Sequence, residues 1–193
     1  MQSKRAYQAT VAPETKFVDT GFTYTAQTAT PTFTLMNPLV QGTTNGTRIG
    51  NKVQCRGLEV RAAVGLPAAP DNNTTMRVGI VVDFQSNGVV PTVGEIWNNG
   101  AAAPNVFASR NLNYIERFKI LKDNLVSLSL AGPGVQNLIW HLPADVVTKY
   151  IGNTGGVADI ETGAIYFYSF SDEAVGPTNP LLAVTARYKF IDP

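Results

Sequence analysis

The chain has 193 residues, a length that fits one domain with a sizeable core. Only 15% of its residues are charged and its formal net charge is +1, which excludes a chain that binds polyanions through its overall charge. One cysteine excludes an intrachain disulfide framework, and no apolar run approaches the length of a membrane span.

Apolar and polar residues alternate along much of the chain, between clusters of glycine, proline and asparagine, as is typical of β-strands joined by turns. Met76, Val78, Ile80 and Val82 share one face of such a segment, which predicts a sheet with one buried and one wetter face. Eight segments are predicted to be strands: Lys16–Thr25, Thr32–Asn37, Lys52–Gly65, Thr74–Phe84, Tyr114–Leu130, Val135–Val146, Gly163–Phe170 and Leu181–Ile191.

The third of these segments changes phase along its length. Val53 and Cys55 share one face, whereas Leu58 and Val60 share the other. One residue inserted into a strand reverses the faces of the residues beyond it, and a glycine inside a strand often marks such a point. We therefore predict a β-bulge at Gly57.

The connections between the strands are long. In residues 85–111, Thr92 is followed three residues later by Glu95, which predicts a short capped helical turn around Pro91–Trp97. Eight strands, long loops and no strong helix predict an all-β fold, a single eight-stranded jelly roll of two packed antiparallel sheets. Residues 16–193 are the predicted jelly-roll domain, and residues 1–15 are a short N-terminal arm that we expect to be flexible.

Catalytic patterns do not emerge from the sequence. His141, the single histidine, is accompanied by neither a nucleophile motif nor an orienting acid, and no pair of carboxylates alternates within a strand as a glycosidase would need. One cysteine and one histidine cannot form a zinc cluster. We predict no enzyme and no cofactor, but calcium held between carboxylates of neighbouring subunits stays open.

Basic residues are densest in the fifth predicted strand. Two interpretations stay open for them: they contact nucleic acid, or they lie on a solvated or intersubunit strand face with ion pairs to Asp123 or Glu116. Two interpretations also stay open for the bases near the start of the chain: they contact nucleic acid, or they belong to a short disordered terminus. The candidate nucleic-acid contacts are Lys4, Arg5, Arg117, Lys119 and Lys122.

A further set of residues is expected to shape the fold or an interface between chains. Gly50 is expected to supply an unusual backbone dihedral at the start of the third strand, while Arg48 ties down the preceding loop. Phe118 is expected to pack inward, and the large aromatic residues are expected to be core or interface anchors. The set is Arg48, Gly50, Trp97, Phe107, Phe118 and Trp140.

Four motifs in order resemble the capsid proteins of satellite necrosis viruses and the similar capsids of small circular single-stranded DNA viruses. The first three are "QGTTNGTRIGNK" (41–52), "DFQSNGVVP" (83–91) and "RFKILKD" (117–123). The fourth is "NLIWHLPADVVTKYIGNTGG" (137–156), followed by "GAIYFYSF" (163–170). The resemblance covers most of the chain.

This resemblance implies a jelly-roll subunit, sixty copies of which close into an icosahedral shell around single-stranded DNA or RNA. It implies a virion component made in the host cytoplasm, with assembly in the nucleus left open. Its partners would be further copies of itself, the genome and a host receptor, without a membrane. The alternative is a carbohydrate- or receptor-binding jelly roll of the lectin or fibre-head type.

The chain departs from the resemblance at its N-terminus. Related capsids usually carry an arm dense in arginine and lysine, whereas residues 1–15 offer Lys4 and Arg5 against Glu14. Sixty copies at +1 would carry about +60, while even a small genome carries on the order of a thousand phosphates. Three explanations stay open: the arm was removed or lost, small cations balance the genome, or the particle forms empty.

Overall fold

The computed structural model describes residues 14–67, 73–98, 105–174 and 176–192, so Lys4 and Arg5 lie outside the described residues. Helical structure in the described ranges is limited to α1 (Val93–Ile96) and two 3-10 turns, Leu112–Tyr114 and Val157–Asp159, none long or apolar enough to cross a membrane. The strands are β1 Thr15–Ala26, β2 Thr32–Leu35, β3 Lys52–Gly65, β4 Asn73–Asp83, β5 Trp97–Asn98, β6 Ser109–Arg110, β7 Phe118–Ser129, β8 Val135–Leu142, β9 Val147–Tyr150, β10 Ile160–Thr162, β11 Ala164–Ser171 and β12 Leu181–Ile191.

Two antiparallel sheets contain the long strands. The first sheet has the order β1-β12-β3, and β3 then pairs with β8 along one part of its length and with β9 along the other, with β10 outside β9. The second sheet has the order β2-β11-β4-β7, and β5 pairs with β6 separately. Strands from the beginning and end of the chain are therefore neighbours in both sheets, which is the topology of a jelly roll.

Each predicted strand has a counterpart in the structure. The fifth begins at Phe118 rather than Tyr114, because a 3-10 turn precedes it. The sixth ends at Leu142, before Pro143, which cannot donate a backbone hydrogen bond to a sheet. The short strands β5, β6, β9 and β10 were not predicted, so the structure has more than the eight strands expected.

Two local predictions are confirmed. Gly57 lies opposite Lys189 and Cys55 lies opposite Phe190, so Arg56 is the extra residue of a bulge next to Gly57. The helical turn is present as α1, where the Glu95 carboxylate accepts hydrogen bonds from the Thr92 backbone N–H at 2.7 Å and hydroxyl at 3.0 Å. Both features are signalled within a few residues of sequence.

Aromatic side chains join the two sheets. Phe167 of β11 stacks with Trp140 of β8 at a centroid distance of 6.3 Å and meets the edge of Phe22 of β1 at 6.1 Å. Ile80, which pairs with Phe167 across the strands, faces the same core. Trp140 is thus a core residue.

The central strands of the second sheet, β4 and β11, are buried on both faces, and the prediction of a wetter face for β4 is wrong. Every residue from Met76 to Asp83 is buried, as is every residue of β11. The connection between β4 and β7 covers the outer face, where Trp97 contacts Tyr168 at a ring distance of 5.8 Å. Phe118 lies opposite Asp83 on this outer face, so it is buried under the connection rather than between the sheets as expected.

Gly79 provides a test of this packing. The side chain of Tyr168 crosses the backbone of Gly79, and a Cβ atom there would overlap the Tyr168 hydroxyl and the carbonyl oxygen of Lys122. We expect Gly79→Ala to lower the free energy of unfolding by about 1–3 kcal/mol, the usual cost of overpacking. Urea unfolding of the variant and the wild type measures this difference in the free energy of unfolding. Gly94→Ala is the control, because no atom outside its own helical turn and chain neighbours lies within 4 Å of its added Cβ. An equal loss in both variants would contradict the prediction.

Candidate assembly and nucleic-acid surfaces

Arg77 fixes the covering connection to the second sheet. Its Nε and Nη2 donate to the two carboxylate oxygens of Asp123 at 2.8 and 2.7 Å. Its Nη1 donates to the carbonyl oxygens of Val106 at 3.1 Å and Ala108 at 2.6 Å, and its guanidinium lies 3.6 Å from the centre of the Trp97 ring. One buried side chain thereby joins β4, β7 and two parts of the connection.

Asp123 is held as a carboxylate in this arrangement. Burial by itself would raise its pKa, but hydrogen bonds from Arg77 and Tyr168 and the positive charge of Arg77 outweigh burial and lower it. The Tyr168 hydroxyl donates to Oδ1 at 2.8 Å. The pair therefore belongs to the folded structure at neutral pH rather than to a free surface.

Arg117 has a similar role at the other end of the connection. Its Nε and Nη2 donate to Asp83 at 3.0 and 2.8 Å, and its Nη1 donates to Glu95. The Asp83 side chain is fully buried and that of Arg117 is 15% exposed. The partners of Arg117 are therefore Asp83 and Glu95, and not Asp123 or Glu116 as the sequence suggested. Because the charge of Arg117 is balanced inside the chain, the structure favours ion pairing over contact with nucleic acid for this residue.

The other basic candidates of the segment differ from Arg117. Lys119 is exposed, and Lys122 is half-buried with its ammonium 6.0 Å from the centre of the Trp140 ring. Within the described ranges, no ion pair engages either of them. Arg117, Lys119 and Lys122 therefore do not form one basic strip, and only the two lysines are placed to meet a ligand outside the chain.

The outer face of the first sheet carries a cross-strand row of charges. Arg187 donates to both oxygens of Asp19 at 2.8 Å, and Lys189 pairs with Glu59. His141 lies opposite Glu59 with its Nδ1 3.9 Å from a carboxylate oxygen, and its side chain is 65% exposed. Opposite charges compensate one another along this row, while the exposed Arg61 beside it is in no ion pair of the described residues.

Arg48 joins two connections at one end of the sandwich. Its fully buried guanidinium donates to the carbonyl oxygens of Leu39 at 3.1 Å, Gly50 at 2.6 Å and Gly152, and lies 4.3 Å from the centre of the Tyr150 ring. These contacts match the expectation that Arg48 ties down a loop. The expectation for Gly50 is wrong, because its φ is not positive and its contribution is the carbonyl oxygen.

Metal ligands are not gathered in the part of the chain that the structure describes. No group of three or more histidine, cysteine, aspartate or glutamate side chains there could hold an ion. Calcium bound between neighbouring copies would draw its ligands from more than one chain, and it stays a prediction.

Many large apolar side chains are exposed. Trp97 and Phe118 belong to the core, whereas Phe107, in the same connection, is 68% exposed. Single exposed apolar residues are ordinary, but contiguous ones mark contact surfaces. The exposed set is Phe17, Val40, Ile49, Phe84, Val89, Val90, Phe107, Leu112, Tyr114, Ile115, Leu125, Leu130, Val135, Ile139, Val147 and Ile151. Apart from Phe107, it was not recognised from the sequence, because several members interrupt the alternating pattern or lie in loops.

Comparisons with known proteins identify a family that the chain matches over most of its length. The family model of the satellite tobacco necrosis virus coat protein matches residues 9–193. A capsid protein of Satellite tobacco necrosis virus 1 is 31% identical over 146 residues, which cover 74% of this chain and 69% of that protein.

Two solved structures are more distantly similar. A chain of Desmodium yellow mottle tymovirus is 12% identical with a TM-score of 0.39, covering 98% of this chain and 93% of that one. The 60-mer BFDV capsid protein is 11% identical with a TM-score of 0.34, covering 94% and 93%. These low scores add nothing to the fold that the strand order defines.

Substitutions can distinguish the structural role of Arg117 from the exposed position of Lys119. We expect Arg117→Met to lower the free energy of unfolding by about 3–5 kcal/mol, because it leaves the buried Asp83 without its cation. Lys119→Met, at an exposed position in the same strand, should change it by less than about 0.5 kcal/mol. Urea unfolding of the two variants measures the difference, and similar stabilities would contradict these roles.

Acid should weaken the Arg77–Asp123 contact. The pKa of Asp123 is lowered in the folded state, so the carboxylate stabilises the fold above its ordinary pKa of 3.8, and this contribution is lost as the pH falls from there through the lowered value. We expect the free energy of unfolding to fall over this range, and to fall less steeply in Asp123→Asn. Parallel curves of unfolding free energy against pH for the two proteins would contradict the assignment.

Proposed function

The chain belongs to the satellite tobacco necrosis virus coat protein family and is a viral capsid protein, and we propose that its copies assemble into a small icosahedral shell. The proposed shell has sixty copies, one for each equivalent position of that symmetry. The proposed content is a single-stranded nucleic acid genome. The role is structural, as a component of the virion.

The exposed apolar side chains carry this proposal. Ten of the sixteen lie on connections that buried arginines hold in place, so a lone subunit presents rigid apolar surface to water. Burial of such surface against neighbouring copies would be favourable at roughly 25 cal/mol per Å² before the costs of association. Contacts between different patches, related by rotations that close, build shells of defined size.

Six of the thirteen bases in the described residues are engaged within the chain and not free to meet a genome. Lys16, Arg77, Arg117, Lys149, Arg187 and Lys189 all pair with carboxylates. Exposed Lys119 and half-buried Lys122 are the remaining candidates of the fifth predicted strand, with Lys4 and Arg5 proposed from the arm. Lys52, Arg56 and Arg61 of β3 are also exposed and in no ion pair of the described residues. The proposed genome would therefore require further cations, because each phosphate carries one charge.

Assembly is tested by sedimentation velocity of the purified chain over a range of concentrations. We expect a folded subunit at low concentration and a closed particle at high concentration, with ultraviolet absorbance showing whether nucleic acid sediments with it. A chain that stays a monomer or trimer at every concentration would contradict the proposal and favour a receptor- or carbohydrate-binding role. A chelator that dissociates the particle would support interfacial calcium, and indifference to it would remove that idea.

A further inference from the structure

Four exposed side chains of the connection between β4 and β7 form a candidate contact, here named the braced surface: Phe107, Leu112, Tyr114 and Ile115. Leu112 is 71% exposed, Tyr114 is 41% exposed and Ile115 is 45% exposed, all within one turn of chain. Resting on the proposed function, we propose that the braced surface packs against a second copy of this chain in the shell.

The backbone that carries the braced surface is fixed before any partner arrives. Arg77 binds the carbonyl oxygens on both sides of Phe107, at Val106 and Ala108, and the Phe107 N–H donates to the Asn105 side chain at 2.9 Å. A surface already ordered in the free protein loses less conformational entropy on binding.

The turn that carries the other three side chains is held in the same way. The Asn111 side chain donates to the Gly94 carbonyl at 2.7 Å and accepts the Asn113 N–H at 3.0 Å, capping the 3-10 turn. Arg110 donates to the carbonyl oxygens of Ile115 and Phe118. The polar groups beneath the braced surface are thus engaged, while its apolar side chains point outward.

The size of the braced surface suits one half of a protein interface. Its exposed fractions correspond to on the order of 400 Å² of mostly apolar surface. A standard interface buries roughly 800 Å² on each partner, somewhat more than half of it apolar. The braced surface could therefore supply most of the apolar part of one side of such a contact.

The chemistry of the braced surface favours a protein partner over a nucleic acid. None of its four residues carries a formal charge, and Arg110, between Phe107 and Leu112, is directed back to backbone carbonyl oxygens. Nucleic-acid surfaces need cations that meet phosphates. A coat protein meets its own copies at the highest local concentration, so a second copy is the occupant that the surface fits.

Substitution tests the contact. We expect Leu112→Glu and Phe107→Glu each to raise the subunit concentration needed for particle formation at least tenfold, because a carboxylate would be buried without a partner. Leu112→Met and Phe107→Leu, which keep the surface apolar, should assemble near the wild-type concentration. Circular dichroism and thermal unfolding confirm that the free variants are folded.

Thiol labelling gives a readout that does not require assembly to fail. Cys55 is the single cysteine of the chain and is fully buried, so Leu112→Cys adds one accessible thiol. We expect a small thiol reagent to label it at least tenfold faster in free subunits than in particles. Equal rates would place the surface on an open face, as a receptor site requires, and would overturn the inference.

The two proposals can fail separately. If wild-type subunits form particles and the glutamate variants form them at the same concentration, the braced surface is not a subunit contact although the shell stands. If wild-type subunits form no particle at any concentration, the proposed function fails and the inference with it.

Discussion

Buried guanidinium groups hold the long connections of this jelly roll against its sheets. Arg77 and Arg117 fix the described parts of the connection between β4 and β7, residues 84–98 and 105–117, on the second sheet. Arg48 joins residues 36–51 to the connection after β9. A desolvated cation without partners is costly, so each of these arginines specifies the one arrangement of backbone and carboxylate oxygens that satisfies it. Segments that would otherwise be mobile thereby become rigid surfaces.

This bracing also explains the composition of the chain. Because the connection covers the outer face of the second sheet, β4 and β11 are buried on both sides and contain few residues that prefer water. Gly79 and Tyr168 show the constraint directly, since the strand needs a residue without a side chain where the tyrosine crosses it to reach Asp123. The cross-strand row of charges lies instead on the outer face of the first sheet.

The sequence predicts what short-range signals specify. Alternation located a counterpart of each of the eight predicted strands, the phase change located the bulge at Gly57, and Thr92 with Glu95 located α1. Phe118 was assigned to the wrong face because a second bulge, at Leu121, reverses the phase of β7 without a glycine to mark it. The partners of Arg117 could not be predicted either, because Asp83 comes from another strand and Glu95 from the helical turn.

The distribution of charge bears on how copies of the chain and a genome would interact. Six of the thirteen lysines and arginines of the described residues pair with carboxylates within the chain. Arg117, the candidate that sequence placed in a basic strip, is one of them and holds the connection to the second sheet. Exposed bases such as Lys119 can meet few phosphates per copy, and such contacts weaken steeply with salt. The apolar contacts do not depend on salt in this way. In the proposed shell, apolar contacts between copies would therefore persist at salt concentrations that weaken the contacts of these exposed bases with a genome.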